Sequence, residues 1–160
     1  MKLVHLRVDD RFIHGQILEA WIPHTRAEGL VVVNDALAAD NFQKTIMSMA
    51  VPDRICLRIV GLADFPALLT AREFERRNVM VIVASIEDAC ALRRQGLAFA
   101  ELNLGNLATS AGARQLSFSV WIKDGELVLL KELLADGVAI NVQAVPRERA
   151  IDLRSLMAVE

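Results

Sequence analysis

The chain has 160 residues, carries a formal net charge of −2 and is 54% hydrophobic, with 24% of its residues charged. This composition excludes a disordered chain and supplies enough apolar side chains for a well-filled core. The charge also lacks the basic excess that DNA- and RNA-binding proteins show, so we expect no nucleic-acid partner. The length fits one domain of ordinary size, and no break in composition divides it. We therefore predict a single domain over residues 1–160.

The cysteines and the apolar runs favour a cytoplasmic protein. Cys56 and Cys90 are the only cysteines, lie in apolar surroundings and form no CxxC pair. We expect both to be small, reduced core residues. Charged residues follow the first apolar run directly, which argues against a signal peptide. The longest apolar runs have strand length, far below the roughly 20 residues of a transmembrane helix.

Short apolar runs alternate with longer amphipathic stretches along the chain. Valine-rich runs predict buried strands, whereas apolar residues three or four positions apart predict helices. In chain order these patterns predict a strand at 3–8, a helix at 15–25, a strand at 29–34, a helix ending near 49, a strand at 55–60, a helix at 63–76, a strand at 79–84, a helix at 85–96, strands at 98–104 and 115–122, a helix at 124–135 and a strand at 138–145. One short helix is expected in the polar tail.

Residues that begin and end helices support several of these boundaries. Pro23 lies near the end of the first helix and is expected to stop it. Asp35 or Asp40 can cap the second helix. Ser85, with an acidic residue three positions later, resembles a capping box. Gly96 suits the left-handed residue that commonly follows a helix.

The alternation of strands and helices indicates the fold class. Parallel strands are joined by right-handed crossovers, and the helices of those crossovers cover both faces of the sheet. We therefore predict an α/β fold with a mainly parallel central sheet of six to seven strands. Ligands of such sheets bind beyond the carboxyl ends of the strands, where the strand order reverses.

The loop after the first strand is the densest group of polar residues at any predicted strand end. Residues 7–16 read RVDDRFIHGQ, and the first helix begins near Gly15. The backbone N–H groups and the positive end of the helix dipole favour an anion there, phosphate above all. The sequence therefore predicts an anion site between Asp9 and Gly15.

Motifs for other chemistry are absent from the sequence. The loop has neither a Walker A motif nor GxGxxG, so a nucleotide-binding α/β domain is a weaker alternative. The chain has no HExxH, no set of three or four residues with the spacing of metal ligands, and no GxSxG around a serine. We therefore expect no metal site.

His14, with Arg11 three residues before it, has two interpretations. A single loop histidine is most often a polar surface residue, and an arginine beside an aspartate is usually an exposed ion pair worth less than about 1 kcal/mol. Alternatively, a neutral imidazole nitrogen attacks phosphorus while Arg11 and the loop amides neutralise the phosphoryl oxygens. Asp9 or Asp10 then orients either the imidazole or the arginine. The residues alone leave a bound phosphate and a covalent one as alternatives.

The octapeptide DDRFIHGQ, residues 9–16, resembles the DDRLIHGQV signature around the phosphorylated histidine of the mannose/fructose/sorbose-type IIB subunits of the bacterial sugar phosphotransferase system. Phe12 stands where the family usually has leucine. The similarity extends to Trp21 in the first helix, to the Asn-Asp pair after the second strand and to ELNLG at 101–105. Length and element order agree over nearly the whole chain.

This resemblance implies a cytoplasmic phosphocarrier with a three-layer α/β/α sandwich fold, working at the inner face of the membrane. A phosphohistidine of the IIA subunit would donate a phosphoryl group, in this family to Nδ1 of the histidine, and a sugar held by the membrane IIC/IID pair would receive it. The family needs no metal or organic cofactor. The implied site consists of His14 as nucleophile, Arg11, Gly15 and Gln16 around the phosphoryl group, and Asp9 and Asp10 as supports of the loop.

Two further points leave alternatives open. The loop at 106–112 lacks the basic and aromatic residues typical of this region in the family, and it either contacts a partner or helps to form the pocket. A member of the family can also act as a phosphorylation-dependent regulatory module without a role in sugar transport. The sugar and the oligomeric state are left open by the sequence.

Overall fold

The computed structural model describes residues 1–158. Strands and helices alternate along this part of the chain, as the sequence predicts. The strands are β1 (Lys2–Asp9), β2 (Gly29–Val33), β3 (Cys56–Val60), β4 (Asn78–Val83), β5 (Glu101–Asn106), β6 (Arg114–Ser117), β7 (Val120–Ile122), β8 (Ala139–Val142) and β9 (Ile151–Asp152). The α-helices are α1 (Ile22–Thr25), α2 (Asp35–Ala39), α3 (Asn41–Ala50), α4 (Phe65–Leu68), α5 (Ile86–Arg94), α6 (Asp124–Ala135) and α7 (Leu153–Met157), with a π-helical turn (Ile17–Trp21) before α1 and a 3₁₀ turn (Arg72–Phe74) after α4.

Seven of the described strands form one sheet in the order β3-β2-β4-β1-β5-β8-β9. The neighbouring pairs from β3 to β8 are parallel, and β9 pairs antiparallel with β8. Parallel neighbours require long crossover connections, which the helices supply. The prediction of a mainly parallel sheet of six to seven strands is confirmed.

The helices cover the sheet on both faces. Successive side chains of a strand point to opposite faces, and all five residues of β2 are buried. Val32 belongs to one apolar cluster together with Trp21. Val33 belongs to a second cluster together with Phe65 and Phe74. The fold is therefore the predicted three-layer α/β/α sandwich.

The prediction of a single strand at 115–122 is wrong. These residues fold back as the antiparallel pair β6-β7, outside the main sheet. Phe118 lies at the turn with 97% of its surface exposed, while Val120 is fully buried. Leu107 holds the pair against the end of β5, since its N–H donates to the Ser119 carbonyl at 2.9 Å. The seventh strand of the sheet is instead β9, in the tail.

The helix predicted at 63–76 is broken into α4 and the 3₁₀ turn. Phe65 and Phe74, nine positions apart, are both fully buried in the same apolar cluster. At about 100° per residue, such positions lie on opposite sides of an α-helix. One continuous helix would therefore expose one of the two rings, and the break lets both reach the core.

The second predicted helix is two helices, α2 and α3, which meet at Asp40. Asn34 caps α2, because its Oδ1 accepts from the Leu37 N–H at 2.8 Å. Asp40 caps α3, because its Oδ1 accepts from the Gln43 N–H at 3.0 Å. Of the two predicted caps, Asp40 is confirmed. Asp35 is the first residue of α2 rather than its cap.

The first predicted helix begins near Gly15, but Pro23 lies inside α1 rather than stopping it. In a regular α-helix the proline ring meets the carbonyl four residues earlier. The wider π-helical turn before α1 relieves this contact. The helix ends where Arg26 adopts a left-handed φ of 54°. No helix in residues 1–158 is long and apolar enough to cross a membrane.

Neighbouring strands β1 and β5 send their helices to opposite faces of the sheet. The helix after β1 contributes Ile17 and Trp21 to one apolar cluster. The helix α6, which follows β5 after the hairpin, contributes Leu130 to the other cluster. The strand order therefore reverses between β1 and β5, which is where ligands of such sheets bind. The polar loop at 9–15 follows β1 at this point.

Candidate functional site

The loop after β1 turns tightly at Phe12. This residue has a φ of 60°, and its N–H donates to the Asp9 carbonyl at 3.1 Å. A bulky residue rarely occupies this left-handed region, so the surrounding contacts must hold it there. The turn brings Arg11 and His14 back over the end of β1, beside Asp9.

Asp9 is the centre of the site, with its carboxylate fully buried. Its Oδ2 accepts from Arg7 Nε at 3.1 Å and lies 2.8 Å from His14 Nε2. Its Oδ1 accepts from the backbone N–H of Arg11 at 3.0 Å and from Arg11 Nε at 3.3 Å. Burial acts to raise the pKa of Asp9, but the hydrogen bond from His14 and the charge of Arg7 outweigh burial and lower that pKa below its usual value. Asp9 is therefore ionised at neutral pH.

The contact with Asp9 determines which nitrogen of His14 is free. An ionised carboxylate accepts hydrogen bonds and does not donate them, so the proton of the neutral imidazole lies on Nε2. The lone pair is then on Nδ1, which makes no hydrogen bond to any residue of the described chain. The side chain is 18% exposed, so a reactant can reach it. The geometry thus leaves Nδ1 as the ring nitrogen whose lone pair is free.

Arg11 places a cation at the mouth of the site. Its side chain is 41% exposed, and Nη2 donates to Gln16 Oε1 at 3.2 Å. A guanidinium has five N–H donors in a fixed plane, so Arg11 can contact the Asp9 carboxylate and still have donors for an anion. The structure thus brings the side chains of Arg11 and Gln16 into contact.

Gly15 lies at the exposed start of the helix. The first bonds of that helix run from Ile17 N and Leu18 N to the His14 carbonyl, at 3.0 and 3.1 Å. The amides of Gly15 and Gln16 precede this first turn, where helix N–H groups have no intrahelical acceptor. A Cβ atom at position 15 would meet no atom within 4 Å, so the protein leaves open space beside this residue.

Asp10 bonds to the loop after β5, whereas Asp9 bonds to residues of its own loop and of β1. Its Oδ1 accepts from Asn106 Nδ2 at 2.7 Å, and its Oδ2 accepts from the Ala108 N–H at 2.7 Å. Its own N–H donates to the Asn106 carbonyl at 3.1 Å. Of the two aspartates that the sequence offers as orienting groups, Asp9 contacts both the imidazole and the arginine. Asp10 contacts neither and joins the loop after β1 to the loop after β5.

Arg7 is a further residue of the site, and it lies outside the motif at 9–16. Its side chain is fully buried and bonds to Asp9, to the side chain of Asn103 and to the carbonyls of Gln143 and Ala144. The signal was present, because an arginine in the middle of an apolar strand must find partners in the interior. Its spacing of two from Asp9 also places both side chains on one face of β1.

These groups together suit a covalently bound phosphoryl group. The site offers an unprotonated ring nitrogen, an arginine with free donors and helix-start amides, which are the parts that phosphoryl transfer requires. Within residues 1–158 no three His, Cys, Asp or Glu side chains converge as a metal site would require.

A family model described as the sorbose subfamily IIB component of the PTS, the phosphotransferase system, matches residues 3–160. The chain belongs to this IIB family. It is 26% identical over 153 residues to the sorbose-specific EIIB component of Klebsiella pneumoniae, a match that covers 96% of this chain and 93% of the relative. It is 29% identical over 155 residues to the N-acetylgalactosamine-specific phosphotransferase enzyme IIB component 2 of Escherichia coli (strain K12), with 97% and 98% covered.

Solved structures show the same fold as this IIB protein. The IIBSor domain of the sorbose permease from Klebsiella pneumoniae superposes with a TM-score of 0.92 at 24% identity, covering 99% of this chain and 98% of that one. The structure of manxB from Thermoanaerobacter tengcongensis superposes with a TM-score of 0.89 at 27% identity, covering 98% and 95%. The three-layer arrangement is thus that of the solved IIB structures.

Membership of the family confirms the resemblance that residues 9–16 carry. IIB components are phosphotransferases of the sugar phosphotransferase system. This IIB protein is therefore a phosphocarrier that serves sugar transport, as the sequence predicts.

Proposed function

We propose that His14 accepts a phosphoryl group on Nδ1 from a phosphohistidine of a IIA protein and passes it to a sugar translocated by IIC/IID membrane subunits. One observation carries this proposal. His14 Nε2 lies 2.8 Å from a buried, ionised Asp9 carboxylate, which leaves the other ring nitrogen as the lone-pair atom at the open side of the site.

In the first transfer the Nδ1 lone pair forms a bond to phosphorus. The bond between phosphorus and the donor's histidine nitrogen breaks, and the donor nitrogen keeps that electron pair. His14 then carries a phosphoryl group on Nδ1 and a proton on Nε2, so its ring is positively charged. The Asp9 carboxylate stabilises this charge across the existing hydrogen bond.

The phosphoryl oxygens need hydrogen-bond donors as well. Arg11 lies beside the ring with its side chain partly exposed, and its guanidinium donates to Asp9 at 3.3 Å and to Gln16 at 3.2 Å. The amides of Gly15 and Gln16 add the positive end of the helix. In this proposal Arg11, Gly15 and Gln16 bind the phosphoryl group, while Asp9 and Asp10 hold the shape of the loop.

In the second transfer a sugar hydroxyl oxygen forms a bond to phosphorus as the bond from phosphorus to Nδ1 breaks. The electron pair returns to Nδ1, and the hydroxyl proton goes to solvent. The protein would do this in the cytoplasm, at the inner face of the membrane that holds IIC and IID. A relative from Escherichia coli (strain K12) supports a IIA partner. It is named the mannose-specific EIIAB component, and this chain matches only 47% of its length, which leaves room for the IIA part that the name gives.

The test is IIA-dependent phosphorylation. The protein is incubated with labelled phosphoenolpyruvate, the general phosphotransferase proteins and a mannose-type IIA. We expect acid-labile label on the wild type and on His24→Ala, which changes an exposed histidine outside the loop, and none on His14→Ala. Label that survives in His14→Ala would show that another residue is the acceptor.

A second assay tests the sugar step. Labelled protein is mixed with membranes that contain IIC and IID and with a panel of sugars. We expect the label to move to one or a few of the sugars. If the protein is labelled but no sugar receives phosphate from any membrane, a phosphorylation-dependent regulatory module is the better description.

A further inference from the structure

Arg7 lies two residues before Asp9 on the same face of β1 and is fully buried. A buried charge persists only when it is paired and hydrogen-bonded, and Arg7 Nε donates to Asp9 Oδ2 at 3.1 Å. Because of its burial, Arg7 does not contact a phosphoryl group itself. We propose that Arg7 is a positioning residue for phosphoryl transfer at His14 and acts through Asp9, a role that rests on the proposed function above.

The acceptors around Arg7 come from three parts of the sheet. Besides Asp9 at the end of β1, Nη1 donates to Asn103 Oδ1 of β5 at 2.6 Å. The same Nη1 donates to the Gln143 carbonyl, and Nη2 donates to the Ala144 carbonyl, each at 3.0 Å. The guanidinium is therefore fixed by β5 and by the segment after β8, independently of the exposed loop.

Two neighbours enclose the guanidinium. A Cβ atom at Gly105 would lie 1.9 Å from Arg7 Cζ, so only glycine fits on that side. The Trp21 ring centroid lies 5.1 Å from Arg7 Cζ, and Trp21 Nε1 donates to the Ala144 carbonyl at 2.9 Å, the acceptor that Arg7 also uses. The position of Arg7 is therefore determined by the core and not by the loop.

Through Asp9, the fixed position of Arg7 determines the orientation of the His14 ring. Arg7 Nε and His14 Nε2 share one oxygen, Oδ2 of Asp9. Arg11 contacts both oxygens, since its backbone N–H and Nε donate to Oδ1 at 3.0 and 3.3 Å and its Nη2 donates to Oδ2 at 3.4 Å. Of these partners, only Arg7 belongs to the buried core. Without Arg7 the carboxylate would be held by the loop alone, and the imidazole would lose the fixed partner that orients it.

Two variants displace Arg7 in different ways. Arg7→Lys keeps the charge but cannot make the same set of hydrogen bonds, and Gly105→Ala keeps Arg7 but forces its guanidinium out of place. Leu102→Ala is the matched control, since Leu102 is a fully buried residue of β5 in the opposite apolar cluster. Urea unfolding establishes that the control is destabilised at least as much as the variants. NMR then follows the Nε2–H proton of His14 in the unphosphorylated protein.

We expect this proton signal in the wild type and in Leu102→Ala, and its loss through fast exchange in both Arg7→Lys and Gly105→Ala. With IIA, the two variants should be labelled about 100-fold more slowly at unchanged affinity for IIA, because a small misplacement of a reacting atom has an effect of this size. Part of their phosphate should move from Nδ1 to Nε2. Variants that retain the proton signal, or are labelled within twofold of the control, would overturn the proposal. If the wild type takes no label at all, the proposed function fails, while the proton signal still tests the role of Arg7.

Discussion

Nε2 of His14 lies 2.8 Å from Oδ2 of Asp9. That oxygen is fully buried and also bonds to Arg7, so one atom joins the reactive ring to the interior of the sheet. The tautomer of the ring therefore depends on a charge that solvent does not reach. In the proposed transfer, the reactivity of His14 therefore depends on this buried carboxylate.

Asp9→Asn should disable the site while preserving its size. An amide can donate to Nε2, which would favour the proton on Nδ1 and remove the nucleophilic lone pair. We expect His14 to be labelled on the order of 100-fold more slowly, because a preorganised charge is lost. The free energy of unfolding should fall by about 3–5 kcal/mol, because Arg7 keeps a buried charge without its anion. Rapid-quench labelling and urea unfolding measure the two effects, and a rate within threefold of wild type would contradict the assignment.

Arg11→Lys tests the planar fork of the exposed arginine. A lysine keeps the charge but cannot hold Asp9 and Gln16 while it also binds the phosphoryl oxygens. We expect the labelling rate to fall about tenfold in Arg11→Lys and about 100-fold in Arg11→Gln, which also removes the charge. The same rapid-quench assay measures both rates. Arg54→Lys, at an exposed position before β3 and so at the other edge of the sheet, should keep the wild-type rate, and equal rates in all three variants would exclude a role for the guanidinium.

Local signals in the sequence predicted the elements that local contacts stabilise. The helix after Ser85 begins there because the Ser85 hydroxyl accepts from the Asp88 N–H at 3.1 Å, and Gly96 follows its end with a left-handed φ of 109°. The helix predicted at 124–135 matches α6. The break between Phe65 and Phe74 was missed, because it depends on which face of the sheet buries both rings.

The residues of the site, too, could be predicted only where their contacts are local. Asp9, Arg11, His14 and Gln16 lie within eight positions, and their contacts are local. Arg7 finds Asn103 at a separation of 96 residues and the Gln143 and Ala144 carbonyls at 136 and 137. No motif in a single strand records such partners, since they meet only when the strand order places β1 beside β5 and β5 beside β8.

Asp10→Ala should free the loop after β5 without disabling His14. The change removes the acceptors of Asn106 Nδ2 and of the Ala108 N–H, both at 2.7 Å. Each such bond contributes about 1 kcal/mol, so the exchange of the Ala108 amide should accelerate by about fivefold. Labelling of His14 by IIA should stay within about threefold of wild type. Hydrogen exchange with mass spectrometry measures the first effect, and an unchanged exchange rate at 107–113 would show that other contacts hold this loop.

His5 should make the protein sensitive to mild acid. Its ring stacks on Trp21 with centroids 4.4 Å apart. Burial first, and then the charge of Arg7, lower the pKa of His5 from 6.5 to about 4. Between pH 6.5 and about pH 4, His5 is protonated in the unfolded chain but neutral in the folded chain. The unfolded state therefore binds more protons than the folded state in this pH range. The contribution of His5 to the free energy of unfolding is therefore fully present above pH 6.5. It is lost as the pH falls toward 4, and the loss amounts to up to about 3 kcal/mol.

His5→Phe keeps an aromatic ring against Trp21 and removes the titrating group. We expect the variant to lose less stability than wild type between pH 6.5 and pH 4, and to be labelled by IIA at the wild-type rate above that range. The titration of Asp9 does not interfere with this comparison. Its pKa is lowered from the usual 3.8, so its contribution to the free energy of unfolding is lost only at lower pH. Phe118→Ala, at the exposed turn between β6 and β7, is the control and should keep the wild-type acid sensitivity. Urea unfolding at half-unit steps of pH measures the curves, and parallel curves for wild type and His5→Phe would show that burial of His5 does not cause the loss.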